Sequence, residues 1–117
     1  EQSAKDLKHL HKEMEMLRTE QSQLLAKGKQ RYDEIMQGGN TALWHKQDFM
    51  AFMEYYRMTE PAFVEQQEKE YNTLSPKLQF FETLSHMGYS NKDIAQILCV
   101  GEDSLRSYKA RVKKQKR

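Results

Sequence analysis

The last third of the chain is punctuated at short intervals, and that punctuation admits little besides a small set of packed helices. Ser75-Pro76 pairs a helix-capping side chain with a proline tolerated only in a first turn. Leu78, Phe80, Phe81, Leu84 and Met87 come next with a wide apolar surface, and Gly88 stands where a helix must stop. Ser90 opens the next segment, with Asp93 three residues on, ahead of Ile94, Ala95, Ile97 and Leu98. Cys99-Val100-Gly101 is read as a tight turn. The final helix opens on Glu102-Asp103, acids suited to the positive end of a helix, and aligns Leu105, Tyr108 and Val112 on one face. Helices are expected near 75–87, 91–98 and 102–115.

The first part of the chain reads as one long helix near 4–37. Leu7, Leu10, Met14, Leu17, Gln21 and Leu24 recur in steps of three and four, the seam of a coiled coil. Glu13 and Arg18 flank that seam, and the residues proposed to dimerise are Leu7, Leu10, Met14, Leu17 and Leu24. Gly28 and Arg31 fall on the seam and are expected to weaken it, while Tyr32, Ile35 and Met36 slide around the helix. The alternative is an amphipathic helix folded back on its own domain. Gly38-Gly39-Asn40 is the strongest break, with Asn40 or Thr41 as cap of a helix near 41–57. Phe49, Phe52, Met53 and Tyr56 share a face of that helix, a pattern of core rather than of a ligand box. Thr59-Glu60-Pro61 restarts a helix near 60–72 with Thr59 as its cap. The expected fold is all-α: a coiled-coil stalk (1–37), a C-terminal helical domain (74–117), and between them a helical connector (41–73) that packs on the C-terminal domain.

Composition excludes several classes. One cysteine rules out an internal disulfide framework and fits a reducing compartment. No apolar run approaches the roughly 18–20 residues that span a bilayer. The chain starts at Glu1 and is read as a fragment or processed product. The net charge of +2 conceals a polarity: residues 104–117 hold seven of the 19 Lys and Arg and none of the 17 acids. A basic end on an otherwise acidic chain points to a polyanionic partner.

Two short helices joined by a turn, after a scaffold helix, make the helix-turn-helix plan. The last helix buries Leu105, Tyr108 and Val112 and turns Asp103, Arg106, Ser107, Ala110 and Lys114 outward, a spacing suited to a major groove. The stretch from Leu74 to Gln115 resembles the LuxR-type (GerE-like) helix-turn-helix. The resemblance rests on Leu74-Ser75-Pro76, Gly88, the run Ser90-Asn91-Lys92-Asp93-Ile94-Ala95, Leu98 and Ser104-Leu105-Arg106. It implies base contacts from Arg106, Ser107 and Ala110 and phosphate contacts from Lys92, Ser104, Lys109 and Lys113; Lys114 joins the expected DNA-binding residues from its place on the outward face. Leu78 and Phe80 stand where that family has acidic residues, so the first helix is expected to pack on neighbouring aromatic helices. Cys99 and Gly101 replace the usual glycine and serine of the turn. The chain ends at Arg117, short of the family's fourth helix, so dimerisation falls to the stalk. Trp44, Phe49, Phe52 and Pro61-Ala62-Phe63 resemble the cytoplasmic part of bacterial membrane-anchored regulators that join a helical-repeat (TPR) sensor through a coiled coil to a LuxR-type domain.

Other chemistry finds no constellation. His9 and His11 point to different sides of a helix and make poor joint metal ligands, so no metal and no cofactor is expected. Cys99, beside Ile97 and Leu98, is read as a buried structural thiol. No phosphate-cradling glycine loop and no nucleophile–base pair is present, so no enzyme is expected. The expected function is a cytoplasmic transcription regulator: a homodimer through the stalk that reads double-stranded DNA with helix 102–115. The competing reading is a dimeric protein-interaction module with a degenerate helix-turn-helix that binds no DNA. Adhesion to an anionic membrane surface is weaker, because the domain core already claims the apolar face of the last helix.

Overall fold

The computed structural model describes the backbone of residues 2–117 and the side chains of residue 12 and residues 14–117. Six α-helices succeed one another: α1 (Gln2–Met36), α2 (Lys46–Thr59), α3 (Pro61–Glu70), α4 (Pro76–His86), α5 (Asn91–Leu98) and α6 (Ser104–Lys114). Among the described residues there is no strand, only an isolated bridge between Tyr71 and Lys116. The all-α expectation therefore holds. Leu7, Leu10 and Glu13 lie outside the described side chains.

α1 has two unlike halves. Leu24, Gly28, Arg31 and Ile35 continue the three- and four-residue spacing of Met14, Leu17 and Gln21, so they lie on the same face. Over this second half the face is covered by α2. A Cβ on Gly28 would sit 2.1 Å from the Ala51 carbonyl oxygen, so only glycine allows the two backbones to approach this closely. Arg31 Nε donates to Asp48 Oδ1 at 2.9 Å, Lys27 Nζ lies 3.3 Å from the same oxygen, and Ile35 is buried. Gly28 and Arg31, expected to weaken a seam between chains, lie where the face packs against α2 of the same chain. They do not interrupt it but hand it to a partner within the chain. Nor do the later apolar residues all slide away: Tyr32 packs on Phe52, Tyr55 and Tyr56, and only Met36 points outward. In the first half Met14 (59% exposed) and Leu17 (65%) stay uncovered, and Leu24 is half-buried.

Asp48 is the latch of this contact. Burial, the largest influence on its carboxyl, works to raise the pKa. The His45 backbone N–H at 2.7 Å, Arg31 and Lys27 together outweigh that and hold it at about 2. The same bond explains where α2 begins. Asp48 satisfies an otherwise orphaned N–H at the helix start, so α2 opens after His45 and not at Asn40 or Thr41. Asn40 Oδ1 instead accepts the Ala42 N–H at 3.0 Å. Thr41 is spent on tertiary anchoring: its N–H and its hydroxyl both donate to the Ile97 carbonyl, at 2.8 and 3.0 Å, which ties the loop before α2 to the end of α5. Thr59 caps nothing. It closes α2 with its hydroxyl donating to Tyr55 O, and Glu60 serves as the shared boundary with α3.

One apolar cluster runs from Ile35 to Val112 and takes in α1, α2, α3, α4, α5 and α6. Its centre is aromatic. Phe80 of α4, fully buried, meets Phe52 edge-on at 4.8 Å between ring centroids, Phe49 at 5.4 Å and Trp44 at 5.2 Å. The departure of Phe80 from an acidic residue is explained by this contact, and Leu78 packs at the margin of the same cluster. Aromatic pairs in these geometries contribute about 0.5–1.5 kcal/mol each beyond their buried area.

Candidate nucleic-acid interface

α6 is placed by the two helices before it. Ser75 and Ser90 cap α4 and α5 as expected, accepting the backbone N–H of Leu78 and Asp93. Gly88 ends the turn after α4 at φ +95°, a conformation open to glycine. Cys99 ends α5 in the left-handed region at φ 57°, and Val100 N donates back to Ala95 O at 3.0 Å. That backbone turns the Cys99 side chain outward. The thiol is exposed, which corrects the buried thiol expected from its apolar neighbours. Residues 101–103 form a turn in which Ser104 N donates to Gly101 O, so the helix proper starts at Ser104 and not at Glu102.

The inward face of α6 is Leu105, Tyr108 and Val112, all buried, with Tyr108 stacked on Phe81 at 5.4 Å. Leu84, Ile94 and Leu98 share that core and Met87 is half-buried at its edge. Ser104, Arg106, Ser107, Lys109, Ala110, Lys113 and Lys114 are all exposed, as is Lys92 in the first turn of α5. Helical geometry sorts the α6 residues into two flanks about Ala110: Arg106, Lys109 and Lys113 on one side, Ser107, Arg111 and Lys114 on the other. Among the described residues no carboxylate lies within 4 Å of the charged ends of Lys92, Arg106, Lys109, Lys113 or Lys114.

The end of the chain differs. Arg117 N donates to Glu70 O at 2.9 Å, Asn72 N donates to Gln115 O at 2.8 Å, and Lys116 Nζ pairs with Glu70 at 3.6 Å. The segment after α3 thus clasps the segment after α6. Beside it Tyr71 is half-buried, and burial, with hydrogen bonding to Glu82, pushes its phenol up to about 12. The basic residues of the C-terminal stretch are therefore not equivalent. Lys116 is drawn into an internal pair and Arg117 Nε donates to Tyr71 O at 3.3 Å, while those on α6 itself project.

Two cationic placements escape the sequence. Lys77 Nζ, from the first turn of α4, lies 5.6 Å from the centroid of the Tyr108 ring, and the Arg111 guanidinium lies 5.8 Å from the same centroid. Lys77 is distant in sequence from the basic run, and only the packing of α4 on α6 brings it there. Arg111 is legible as basic but not as the neighbour of Lys77.

Among the described residues no group of three or more His, Cys, Asp or Glu is placed to hold a metal ion. None of the described helices is long and apolar enough to cross a membrane. An open cleft of about 450 Å³ between α1 and α2 is lined by Glu20, Gln23, Leu24, Lys27, Gln47 and Met50, a polar rim over a methionine and a leucine.

Fold and surface together define an all-helical protein whose last helix carries an exposed cationic face with no ion-pair partner among the described residues. No family model, no curated protein and no solved structure matches the chain.

Proposed function

We propose that the chain is a DNA-binding transcription regulator of the LuxR-type helix-turn-helix kind, with α5 and α6 as the two helices of the motif and α6 entering the major groove. The carrying observation is the pairing of opposites on α6: one face locked into the core by Leu105, Tyr108 and Val112, the other bearing Arg106, Lys109, Lys113 and Lys114 without an acidic partner among the described residues. A rigid helix with free cations on its outer face suits phosphate neutralisation, and counterion release then drives binding. In this reading Arg106, Ser107 and Ala110 meet base edges, and Lys92, Ser104, Lys109 and Lys113 meet phosphates. α2 and α3 act as the connector from a stalk that dimerises, and the setting is the cytoplasm of a bacterium, as in the membrane-anchored regulators it resembles.

The test is anisotropy on labelled duplexes across a salt series. Arg106→Ala is expected to cost about 1–3 kcal/mol at a selected site and to relax preference at one base pair. Lys113→Ala is expected to weaken all sequences alike and to reduce the salt slope by about one unit. Equal losses on selected and random DNA for Arg106→Ala would remove it from base reading.

A second reading has its own support. Met14 and Leu17 are exposed on one face of α1, an apolar surface suited to a partner helix. A dimeric interaction module uses that surface and needs no DNA. Failure of every duplex to bind a dimeric chain at low salt would favour it.

A further inference from the structure

We infer that Lys77 and Arg111, gathered at the Tyr108 ring, form a phosphodiester-binding site that contacts one wall of the DNA groove, opposite the wall met by Lys109 and Lys113. The inference rests on the DNA-binding reading and extends it to a helix, α4, that the sequence assigned only to scaffolding.

The geometry is specific. Tyr108 is stacked on Phe81, with ring planes 23° apart. Lys77 Nζ and the Arg111 guanidinium both come within 6 Å of the ring centroid, at 5.6 and 5.8 Å. Two cations from different helices, α4 and α6, are thus brought to one ring. Among the described residues neither cation has a carboxylate within 4 Å, and the Tyr108 hydroxyl has no hydrogen-bond partner. Two cations and one free hydroxyl donor make a site for a singly charged anion with several acceptor oxygens, which describes a backbone phosphodiester.

Its position fits the two-walled groove. Arg111 comes four residues after Ser107 and three before Lys114, so the three share one flank of α6. Lys109 and Lys113 lie on the other flank. A helix seated in a major groove meets a phosphate strand on each side. Lys77 adds reach on the Arg111 side that α6 alone does not supply.

The experiment compares the wild-type chain with Lys77→Gln/Arg111→Gln on the same labelled duplex, selected and random, from 50 to 200 mM salt. Both side chains are exposed, and circular dichroism melts confirm that the variant stays folded. The expected result is a log–log salt slope shallower by about one unit, ~0.9 for the one phosphate that the pair neutralises, with equal losses on selected and random DNA. Over that fourfold salt range the wild type should then lose about threefold more affinity than the variant. Tyr108→Phe should weaken binding while leaving the slope unchanged, since it removes a donor but no charge. An unchanged slope in the double variant, with the wild type still bound, overturns the site and leaves the DNA-binding reading intact. Loss at the selected site alone also overturns it, because it would mean base reading. A wild type that binds no duplex at low salt overturns both.

Discussion

Replacing Gly28 by alanine separates two descriptions of α1 by the sign of its effect. In a helix that stands free, the change raises helix propensity and stabilises by about 0.8–1 kcal/mol. In this structure the added Cβ meets the Ala51 carbonyl oxygen at 2.1 Å, the Ala51 carbonyl carbon at 2.8 Å and Tyr55 Cβ at 2.8 Å. Two of these three are backbone atoms, so no rotamer change relieves the clash and α1 must move as a body away from α2. Overpacking of a formed contact costs ~1–3 kcal/mol, and separation also loosens Asp48 from Arg31 and Lys27. The contact outweighs propensity, and Gly28→Ala should be net destabilising by about 1–2 kcal/mol. Urea unfolding followed by circular dichroism reads this directly. With a slope of ~1–3 kcal/mol per molar urea, the midpoint should fall by about 0.5–1 M. Ser22→Ala, on an exposed turn of the same helix, serves as control and should be neutral or slightly stabilising. A midpoint that rises for Gly28→Ala as for Ser22→Ala would refute the packing of α1 on α2.

The Asp48 latch makes stability depend on pH. Its folded pKa, about 2, lies below the ordinary carboxyl value of 3.8, so its contribution is full above about pH 4 and is lost as pH falls toward 2. The gap corresponds to about 2 kcal/mol, so Asp48→Asn should lower unfolding free energy by that amount at pH 7 and by almost nothing near pH 2; an equal loss at both pH values would contradict the latch. On the exposed half of α1, Leu17→Lys should abolish self-association of the intact chain in sedimentation at tens of micromolar, about where a weak short coiled coil still associates. A wild-type chain that stays monomeric there, or a variant that associates equally, would remove Leu17 from any dimer seam.

Signals in the sequence are legible where they act locally. Ser75, Pro76, Gly88 and Ser90 decide their own helix ends through a single side chain or a backbone preference, and each does so in the fold. Expectation fails where a residue's local option loses to a distant partner. Thr41 has the chemistry of a cap but its hydroxyl goes to Ile97, 56 positions away. Asp48, a residue inside the expected helix, sets the start of α2 by reaching back to the His45 N–H. Gly28 reads as a weak point on a seam because the spacing does not reveal that Ala51 approaches it. Cys99 has apolar neighbours, yet the left-handed turn aims it outward. The exposed face of α6 is legible because Leu105, Tyr108 and Val112 alone define which side is inside. The convergence of Lys77 on that helix is not, since it depends on how α4 crosses α6.

Whether α6 meets DNA is tested most directly by titrating the isotopically labelled chain with a short duplex and following amide chemical shifts. If α6 enters the groove, shifts concentrate on Arg106, Ser107, Ala110 and Lys113, extend to Lys92 and Lys77, diminish as salt is raised, and spare the exposed surface of α3. A chain whose α6 amides stay unmoved at low salt while the duplex is in excess, or whose shifts gather on α1 instead, would contradict DNA binding through α6.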